Sequence, residues 1–248
     1  MLIGSKIIHF SKIDSTMDYC KEIAIAGEPE GTIVSTEFQN SGRGRFNRIW
    51  ISPYGVNIQI SILLKPKPQH LIYINMAAAL AICETAEIIT NSKASIKWPN
   101  DVQVNGKKLA GILIESSIKG DQVDYLILGM GINVNLDVMN HPDISQIATS
   151  LKEINNKNVD KNHVMEILWE KLGYYYLKIK NGESLTSIWA SRINTIGRDV
   201  TISFPGTNRE PISGTAKNIL PDGSIQIILD DKTIFNASAG EISIENYS

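Results

Sequence analysis

Apolar and polar residues alternate along the first part of the chain in a way that predicts both strands and helices. Short apolar runs bounded by glycine, proline or polar clusters predict strands at "KIIHF" (6–10), "GTIVSTEF" (31–38) and "GVNIQISILL" (55–64). Asp14 or Ser15 can cap a helix whose apolar residues recur at helical spacing until Gly27. The segment 39–49 lies between two of these strands and is predicted to be a loop.

The middle of the chain predicts a central helix and a sheet built from neighbouring strands. Alanines and aliphatic residues recur at helical spacing from Leu71 to Thr90, which is typical of a packed core helix. Four strand-like runs follow: "SIKW", "DVQV", "KLAGILIE" and "VDYLILGMGINVN". Asn105 and Gly106 give the strongest hairpin signal in the chain.

The last part of the chain predicts two helices followed by a region of short strands. Within the polar stretch 140–158, "KEINNKN" (152–158) is interpreted as a surface loop. "HVMEILWEKLGYYYLKI" and "SLTSIWASRI" then predict two amphipathic helices. From about Gly197, short strands separated by turn residues predict a small all-β domain, which we expect to be a barrel.

Composition and charge narrow the class of protein. Of 248 residues, 43% are hydrophobic and 20% are charged, and a net charge of −2 argues against a basic surface built for nucleic acid. We find no signal-peptide pattern and no apolar run of about eighteen residues, so no membrane association is expected. Cys20 and Cys83 lie in apolar runs, which favours buried free thiols and a cytoplasmic location.

The segment 41–50, "SGRGRFNRIW", concentrates positive charge on a flexible backbone. Its glycines allow a close approach to a ligand, while Arg43, Arg45 and Arg48 offer forked donors to phosphate or carboxylate. We therefore predict a loop that closes over a small anion. The alternative is a solvated basic loop, or an Arg-Gly element that contacts RNA.

A second cluster combines cations with a carboxylate at the predicted hairpin. Lys97, Asn100 and Asp101 meet at a strand end, and Lys107 and Lys108 return on the next strand. Ammonium groups beside phosphates, with a carboxylate to hold Mg²⁺, are what phosphate transfer requires. The alternative is a purely structural turn.

Other motifs point away from familiar sites. "GMGINVN" (129–135) lacks the third glycine and the following helix of a dinucleotide-binding turn, so Gly129 and Gly131 are expected to admit a ligand or a strand close to the backbone. The sequence has no Walker A, His-Glu-x-x-His or Cys-x-x-Cys motif. The tyrosines at 174–176 are expected to pack within a helix rather than to stack on bases.

Taken in order, five motifs resemble those of the biotin protein ligases. They are "IDST" (13–16), "TEFQNSGRGRFNRIW" (36–50), "KWPND" (97–101), "KLAGILIE" (108–115) and "GMGINVN" (129–135). The β-rich tail with "AGEIS" (239–243) is similar to the family's small C-terminal domain. The resemblance implies an α+β fold: a mixed β-sheet packed with helices in a class II synthetase-like ligase domain over 1–196, followed by an SH3-like β-barrel over 197–248.

The resemblance also implies a reaction in two steps. ATP and biotin give biotinyl-5′-adenylate and pyrophosphate, and the biotinyl group then passes to one lysine of a biotin carboxyl carrier protein or domain. In the family the Gly-Arg-Gly-Arg loop orders over the ligand, and closure keeps water from the acyl-adenylate.

The resemblance assigns roles to individual residues. Those expected to contact biotin are Ser15, Thr16, Gln39, Gly42, Arg43, Lys108, Gly111 and Leu113. Those expected to contact ATP are Arg43, Arg45, Trp50, Lys97, Asn100, Asp101, Lys108 and Asn133. Lys108 is expected to be the principal catalytic cation, with Arg43 on the carboxylate and phosphate, and Asp101 as the Mg²⁺ ligand and a candidate base for transfer.

The chain departs from the family pattern at three positions. Met17 replaces the asparagine usual after Ser-Thr, and Asn47 and Ile49 replace a glycine and a basic residue, which puts the tuning of the loop in question. Because the motifs begin within the first fifteen residues, we expect a monofunctional form without an N-terminal DNA-binding domain, without nucleic-acid binding and without repressor activity. An exposed edge strand would support a homodimer, with a monomer as the alternative.

Three rival interpretations remain open at this point. A lipoate or octanoate ligase would share the fold and the adenylate chemistry, but its Arg-Arg and Gly-Gly-Gly signature is absent. A nucleic-acid-binding or regulatory protein would use the basic loop as a contact, and its binding would depend steeply on salt. An inactive relative would fold but not form an adenylate.

Overall fold

The computed structural model describes residues 2–244, and its larger sheet has seven strands. They are β1 (Lys6–Phe10), β2 (Thr32–Thr36), β3 (Ile58–Leu64), β4 (Ala94–Lys97), β5 (Asp101–Val104), β6 (Lys107–Lys119) and β7 (Gln122–Ile132). Their order across the sheet is β1-β2-β3-β7-β6-β5-β4. β1 and β2 are parallel, and the other neighbours are antiparallel, so the sheet is mixed. The predicted hairpin is confirmed, since Asn105 and Gly106 have φ of 52° and 76° between β5 and β6.

Helices pack against this sheet. They are α1 (Thr16–Ile25), α2 (Leu71–Thr90), α3 (Leu151–Asn155), α4 (Lys161–Lys180) and α5 (Thr186–Ala190). Ser15, rather than Asp14, caps α1, because its side chain accepts a hydrogen bond from the backbone N–H of Asp18. The predicted span of α2 is confirmed over its whole length.

Successive residues of the central strands point to opposite sides of the sheet. In β3, Ile60, Ile62 and Leu64 belong to the large core that contains α2, while Leu63 belongs to a smaller core with Met17 of α1. The segment Pro68–Thr90 is long and apolar enough to cross a membrane, but 61% of its most apolar window is buried inside the protein. We interpret it as the core helix of the fold.

The prediction of a surface loop at 152–158 is wrong in its first half. α3 occupies part of this segment, because Ser150 accepts a hydrogen bond from the N–H of Glu153 at 3.2 Å and Asn156 ends the helix in the left-handed conformation. The Ser-x-x-Glu spacing is the capping-box pattern, which predicts the start of a helix at this position. Two of the three tyrosines of α4 pack as predicted, since Tyr175 and Tyr176 are buried, whereas Tyr174 is 53% exposed.

The last part of the described chain forms a second, five-stranded antiparallel sheet. Its strands are β8 (Asp199–Ser203), β9 (Ile212–Ile219), β10 (Ile225–Ile228), β11 (Ile234–Ala237) and β12 (Glu241–Ile244), in the order β11-β10-β9-β8-β12. Its buried residues, among them Val200 and Ile202, join the large core around α2. Trp98 also donates its indole N–H to the carbonyl of Gly223 at 3.0 Å. The two sheets are therefore held together by shared packing.

Candidate active site

The centre of the larger sheet carries a cavity of about 460 Å³. Two cross-strand rows run through β3, β7 and β6: Gln59, Gly131 and Gly111 in one, and Ser61, Gly129 and Leu113 in the other. Because strand residues alternate between faces, all six lie on the same face of the sheet. These rows form the floor of the cavity.

The glycines of the floor leave room for two side chains above it. A Cβ atom on Gly131 would lie 2.5 Å from Cε2 of Trp50, and one on Gly129 would lie 2.6 Å from Sδ of Met17. Trp50 therefore covers one row and Met17 the other. The predicted neighbour of these glycines is a ligand or a strand, whereas the structure brings the side chains of Trp50 and Met17 against them.

One end of the cavity, which we call the polar end, is built from Ser15, Thr16, Gln39, Gln59 and Ser61. The N–H and the hydroxyl of Thr16 both donate to Oε1 of Gln39, at 2.8 and 3.1 Å. Ser61 donates its hydroxyl to Oγ1 of Thr16 at 2.8 Å, and Gln39 donates its amide N–H to Oε1 of Gln59 at 2.9 Å. These side chains hold one another in place without any ligand.

Ser15 differs from its neighbours because its hydroxyl hydrogen has no acceptor among residues 2–244. Its Oγ accepts from the backbone N–H of Asp18 at 3.3 Å and from Nη1 of Arg43 at 3.0 Å. Two accepted bonds occupy both lone pairs of a hydroxyl oxygen, so its remaining O–H can only donate. Ser15 therefore presents a hydrogen-bond donor to an occupant of the polar end.

Arg43 attaches the first half of the loop 41–50 to two carboxylates. Its guanidinium forms a bidentate pair with Asp18, at 2.8 and 3.0 Å, and reaches Glu115 at 3.0 Å. The hydrogen bond to Asp18 raises the pKa of Arg43, and burial opposes it. The charge of Arg43 is thus already balanced by the protein.

The second half of the loop crosses the cavity and ends at Trp50. It contains a 3₁₀ turn in which Phe46 and Asn47 have φ of 55° and 57°, conformations uncommon for residues other than glycine. The backbone N–H of Trp50 donates to the carbonyl of Gly42 at 3.0 Å. The indole Nε1 of Trp50 is buried and has no hydrogen-bond partner within residues 2–244, so a donor remains available inside the cavity.

Arg45 reaches the other end of the cavity, where its hydrogen bonds go to neutral acceptors. It donates to Oδ1 of Asn100 at 3.0 Å and to the carbonyl of Gly240 at 3.1 Å. Burial lowers the pKa of Arg45, and no carboxylate in the described part of the chain forms an ion pair with it. A partly desolvated guanidinium of this kind forms strong charge-assisted hydrogen bonds with a phosphate or carboxylate that enters the cavity.

Lys108 and Asp101 complete this end, which we call the charged end and define by Arg45, Asn100, Asp101 and Lys108. The hairpin brings the ammonium of Lys108 to 2.8 Å from Oδ1 of Asp101. The same ammonium lies 5.9 Å from the centre of the Trp50 ring. The charged end therefore carries two cations and one carboxylate beside an aromatic surface.

Nearly all of the residues expected to contact ligands meet at this one cavity. Those that line it are Ser15, Thr16, Gln39, Arg43, Arg45, Trp50, Lys97, Asn100, Asp101, Lys108, Gly111, Leu113 and Asn133. Gly42 instead packs against Gln39, since a Cβ there would lie 3.2 Å from Nε2 of that residue. Lys107 is directed elsewhere and donates to the carbonyl of Ser145 at 3.2 Å.

Two groups of lining residues escaped the sequence analysis. Gln59 and Ser61 alternate with aliphatic residues in β3, and this polar spacing within a buried strand is the signal that would find them. Glu241 of β12 also lines the cavity, beside Arg48 of the loop. The motif "AGEIS" (239–243) contains Glu241 but does not indicate its contact with the loop, which joins positions 193 residues apart.

The donor set of the charged end fits one kind of metal. Within residues 2–244, no group of three or more His, Cys, Asp or Glu side chains is arranged to hold an ion. Mg²⁺ commonly binds one or two carboxylates and takes its other oxygens from substrate phosphates and water. Asp101 can supply such a carboxylate, so the site fits Mg²⁺ that arrives with a nucleotide.

The family model for the biotin/lipoate A/B protein ligase family matches residues 9–133 of the 248-residue chain, which is half of it. This range holds every predicted ligand contact.

The chain is also similar to curated proteins that are named as ligases. The bifunctional ligase/repressor BirA of Bacillus spizizenii is 37% identical over 168 residues, covering 66% of this chain and 52% of that protein. The biotin--[acetyl-CoA-carboxylase] ligase of Mycobacterium tuberculosis is 27% identical over 232 residues, covering 91% and 83%. The chain thus spans about half the length of its Bacillus relatives.

The biotin protein ligase from Aquifex aeolicus in complex with biotin and ATP superposes with a TM-score of 0.81 at 27% identity. The match covers 98% of this chain and 100% of that one. The similarity in structure therefore extends over both sheets.

Proposed function

The chain belongs to the biotin/lipoate A/B protein ligase family, and from that premise we propose that it is an ATP-dependent biotin protein ligase. It activates biotin with ATP to biotinyl-5′-adenylate, releasing pyrophosphate. It then transfers the biotinyl group to a lysine of an acceptor protein.

The observation that carries the choice of acid is the hydrogen-bonded network of the polar end. Thr16, Gln59 and Ser61 are almost completely buried, and Ser15 offers a donor toward the ligand. The ureido head of biotin has a carbonyl to accept that bond and N–H groups to donate. A dithiolane ring or an alkyl chain would leave the buried O–H of Ser15 without an acceptor, at a cost of about 1–3 kcal/mol.

The first chemical step takes place at the charged end. The biotin carboxylate attacks the α-phosphorus of ATP, and the bond to pyrophosphate breaks. Lys108 stabilises the negative charge that grows on the phosphate, and Arg45 holds the phosphate once the adenylate has formed. When bound with the nucleotide, Mg²⁺ would neutralise phosphate charge, and Asp101 and Asn100 would face it.

The second step needs a neutral amine on the acceptor. A lysine with a pKa of about 10.4 must lose a proton before or during attack on the acyl carbon. Asp101 is the carboxylate of the charged end, and we assign it as the acceptor of that proton. AMP then leaves, and the biotinyl group remains on the lysine as an amide.

Further assignments rest on the same premise. The role of Arg43 as a ligand contact requires its guanidinium to leave Asp18 or Glu115, so we assign the larger share of phosphate binding to Arg45. The acceptor is a biotin carboxyl carrier protein, as the name of the Mycobacterium relative supports. The five-stranded sheet corresponds to the SH3-like barrel of the family. A cytoplasmic location, a homodimer and the lack of nucleic-acid binding stay predictions.

The proposal is tested by biotin-dependent exchange between labelled pyrophosphate and ATP in the presence of Mg²⁺. Parallel reactions contain lipoate, octanoate or no acid, and circular dichroism confirms that the protein is folded. We expect exchange with biotin alone. Exchange with another acid would move the function to that acid, and the lack of any exchange by folded protein would contradict an adenylate-forming activity.

A further inference from the structure

The loop 41–50 is held at its far end by the C-terminal sheet. Nη2 of Arg48 lies 2.5 Å from Oε2 of Glu241, the first residue of β12. Arg45 donates to the carbonyl of Gly240, the residue before it, at 3.1 Å. Two arginines of the loop thus meet two consecutive residues at the start of β12.

The sheet side of this contact is firmly placed. Glu241 pairs with Ser203 across β12 and β8. Gly240 has φ of 138°, and a Cβ on it would lie 2.7 Å from Cγ2 of Ile202 and 3.0 Å from the carbonyl of Ser203. Only a glycine therefore allows β12 to enter the sheet so closely, and Glu241 follows from a fixed point.

Besides these contacts, the loop side is held by the hydrogen bond from Arg45 to Asn100 at 3.0 Å and by Trp50 at its end, which packs over Gly131. Between Gly44 and Trp50, the backbone makes two internal hydrogen bonds, from Gly44 to Arg48 and from Arg48 to Arg45. Ile49 is 84% exposed and Phe46 is 42% exposed, so apolar packing contributes little. Exposed backbone with few contacts belongs to the least stable part of a protein.

We propose that Glu241 is a positioning residue that, through its ion pair with Arg48 and the adjoining Gly240–Arg45 contact, holds the loop closed over the charged end of the cavity. Arg48 neutralises Glu241, so that the cavity wall does not repel a phosphate. The Gly240 carbonyl keeps the Arg45 guanidinium aimed at Asn100. The consequence for catalysis rests on the proposed function, whereas the effect on the loop does not.

The first test needs no ligand and no activity. Glu241→Gln keeps the size of the side chain and removes its charge, and trypsin cleavage after Arg43, Arg45 or Arg48 is followed by mass spectrometry. We expect cleavage about two- to fivefold faster than in wild type, as suits a partly exposed ion pair, and a smaller difference at high salt. Glu183→Gln breaks a similar pair with Lys178, at 2.6 Å on α4, and serves as the matched control. Equal rates in Glu241→Gln and Glu183→Gln would overturn the proposal.

The second test measures retention of the intermediate. Preformed biotinyl-5′-adenylate is expected to dissociate from Glu241→Gln about two- to fivefold faster than from wild type, while biotin affinity stays the same. The charge-exchanged double variant Arg48→Glu with Glu241→Arg should restore slow release. Faster release that the exchange fails to restore would contradict the ion pair. If wild type binds no adenylate while Glu241→Gln still accelerates trypsin cleavage, the proposed function fails and the loop contact stands.

Discussion

The polar end and the charged end of the cavity differ in how far their own residues satisfy one another. At the polar end, Thr16, Gln39, Gln59 and Ser61 donate and accept among themselves. At the charged end, Arg45 contacts neutral oxygens and Lys108 is paired with Asp101 at 2.8 Å. Lys97, the cross-strand neighbour of Asp101, also lines the cavity and forms no ion pair within residues 2–244. One end is complete before binding, and the other has unbalanced positive charge.

The difference matches what each end has to do. A rigid polar end selects a head group that can accept the O–H of Ser15, because a group without an acceptor leaves that buried donor unpaired. Cations that outnumber the carboxylates beside them can stabilise charge that appears only during the reaction. Selection and catalysis are thus assigned to different ends of one cavity, and substitutions should separate them.

The largest effect is expected at the charged end, for Lys108→Ala. Loss of this ammonium should slow biotin-dependent pyrophosphate exchange by about 10²–10³-fold, because the growing phosphate charge loses its main partner. Lys107→Ala is the matched control, since its neighbouring ammonium is turned toward Ser145. Biotin binding, measured by calorimetry, should survive in both. Exchange at the wild-type rate in Lys108→Ala would remove the assigned role.

Substitutions of Arg43 and Arg45 should affect opposite ends of the cavity. Arg45→Gln should weaken ATP binding by about 10- to 100-fold, as expected for hydrogen bonds to a charged group, and leave biotin binding unchanged. Arg43→Gln leaves Asp18 and Glu115 without their cation and should weaken biotin binding through Ser15. Calorimetric titration of each variant with ATP and with biotin measures the two affinities. Loss of ATP binding in Arg43→Gln alone would return the phosphate contact to Arg43.

A smaller effect is expected at the polar end, for Thr16→Val. This change removes the hydroxyl that joins Ser61 to Gln39, and it should weaken biotin binding by about 1–2 kcal/mol, or about 5- to 30-fold. Exchange at saturating biotin should stay close to wild type. Thr85→Val removes a buried hydroxyl that bonds within α2 and controls for a general loss of stability. A fall in the saturated rate would mean that the two ends are not separable.

The sequence predicts which residues line the site better than it predicts how the two ends differ. The motifs place Ser15, Gln39, Arg45 and Lys108 at one cavity, because each stands in a short pattern of its own. Which arginine is free and which is paired depends on carboxylates such as Glu115, 72 positions from Arg43 in the chain. Such pairing is a property of the tertiary structure, and no local pattern carries it.

The fold shows the same limit. Periodicity predicted α2 and the central strands because burial on one or two faces imposes a regular spacing. It failed for α3, because this helix is only five residues long and carries just two apolar residues, Leu151 and Ile154; Ser150 and Asn156 cap its ends. The contact of β12 with the loop depends on how the second sheet packs, which alternation within each strand does not encode.

The smallest effect is expected behind the polar end, at Cys20. Burial raises the pKa of this thiol to about 12, whereas in the unfolded chain it ionises near pH 8.5. The unfolded state therefore binds fewer protons between these values, and the contribution of Cys20 to stability falls as the pH rises through that window.

At pH 8, iodoacetamide should therefore not alkylate Cys20 in the folded protein, and mass spectrometry of the digested chain identifies the modified residue. The same protection should hold in Glu241→Gln, because the core behind the polar end, which Cys20 shares with Met17 and Leu63, does not depend on the loop. Urea-unfolded protein provides the reactive control. Alkylation of Cys20 in folded Glu241→Gln would mean that the core behind the polar end depends on the loop. The polar end would then not be rigid by itself, and the contrast between the two ends would be weaker.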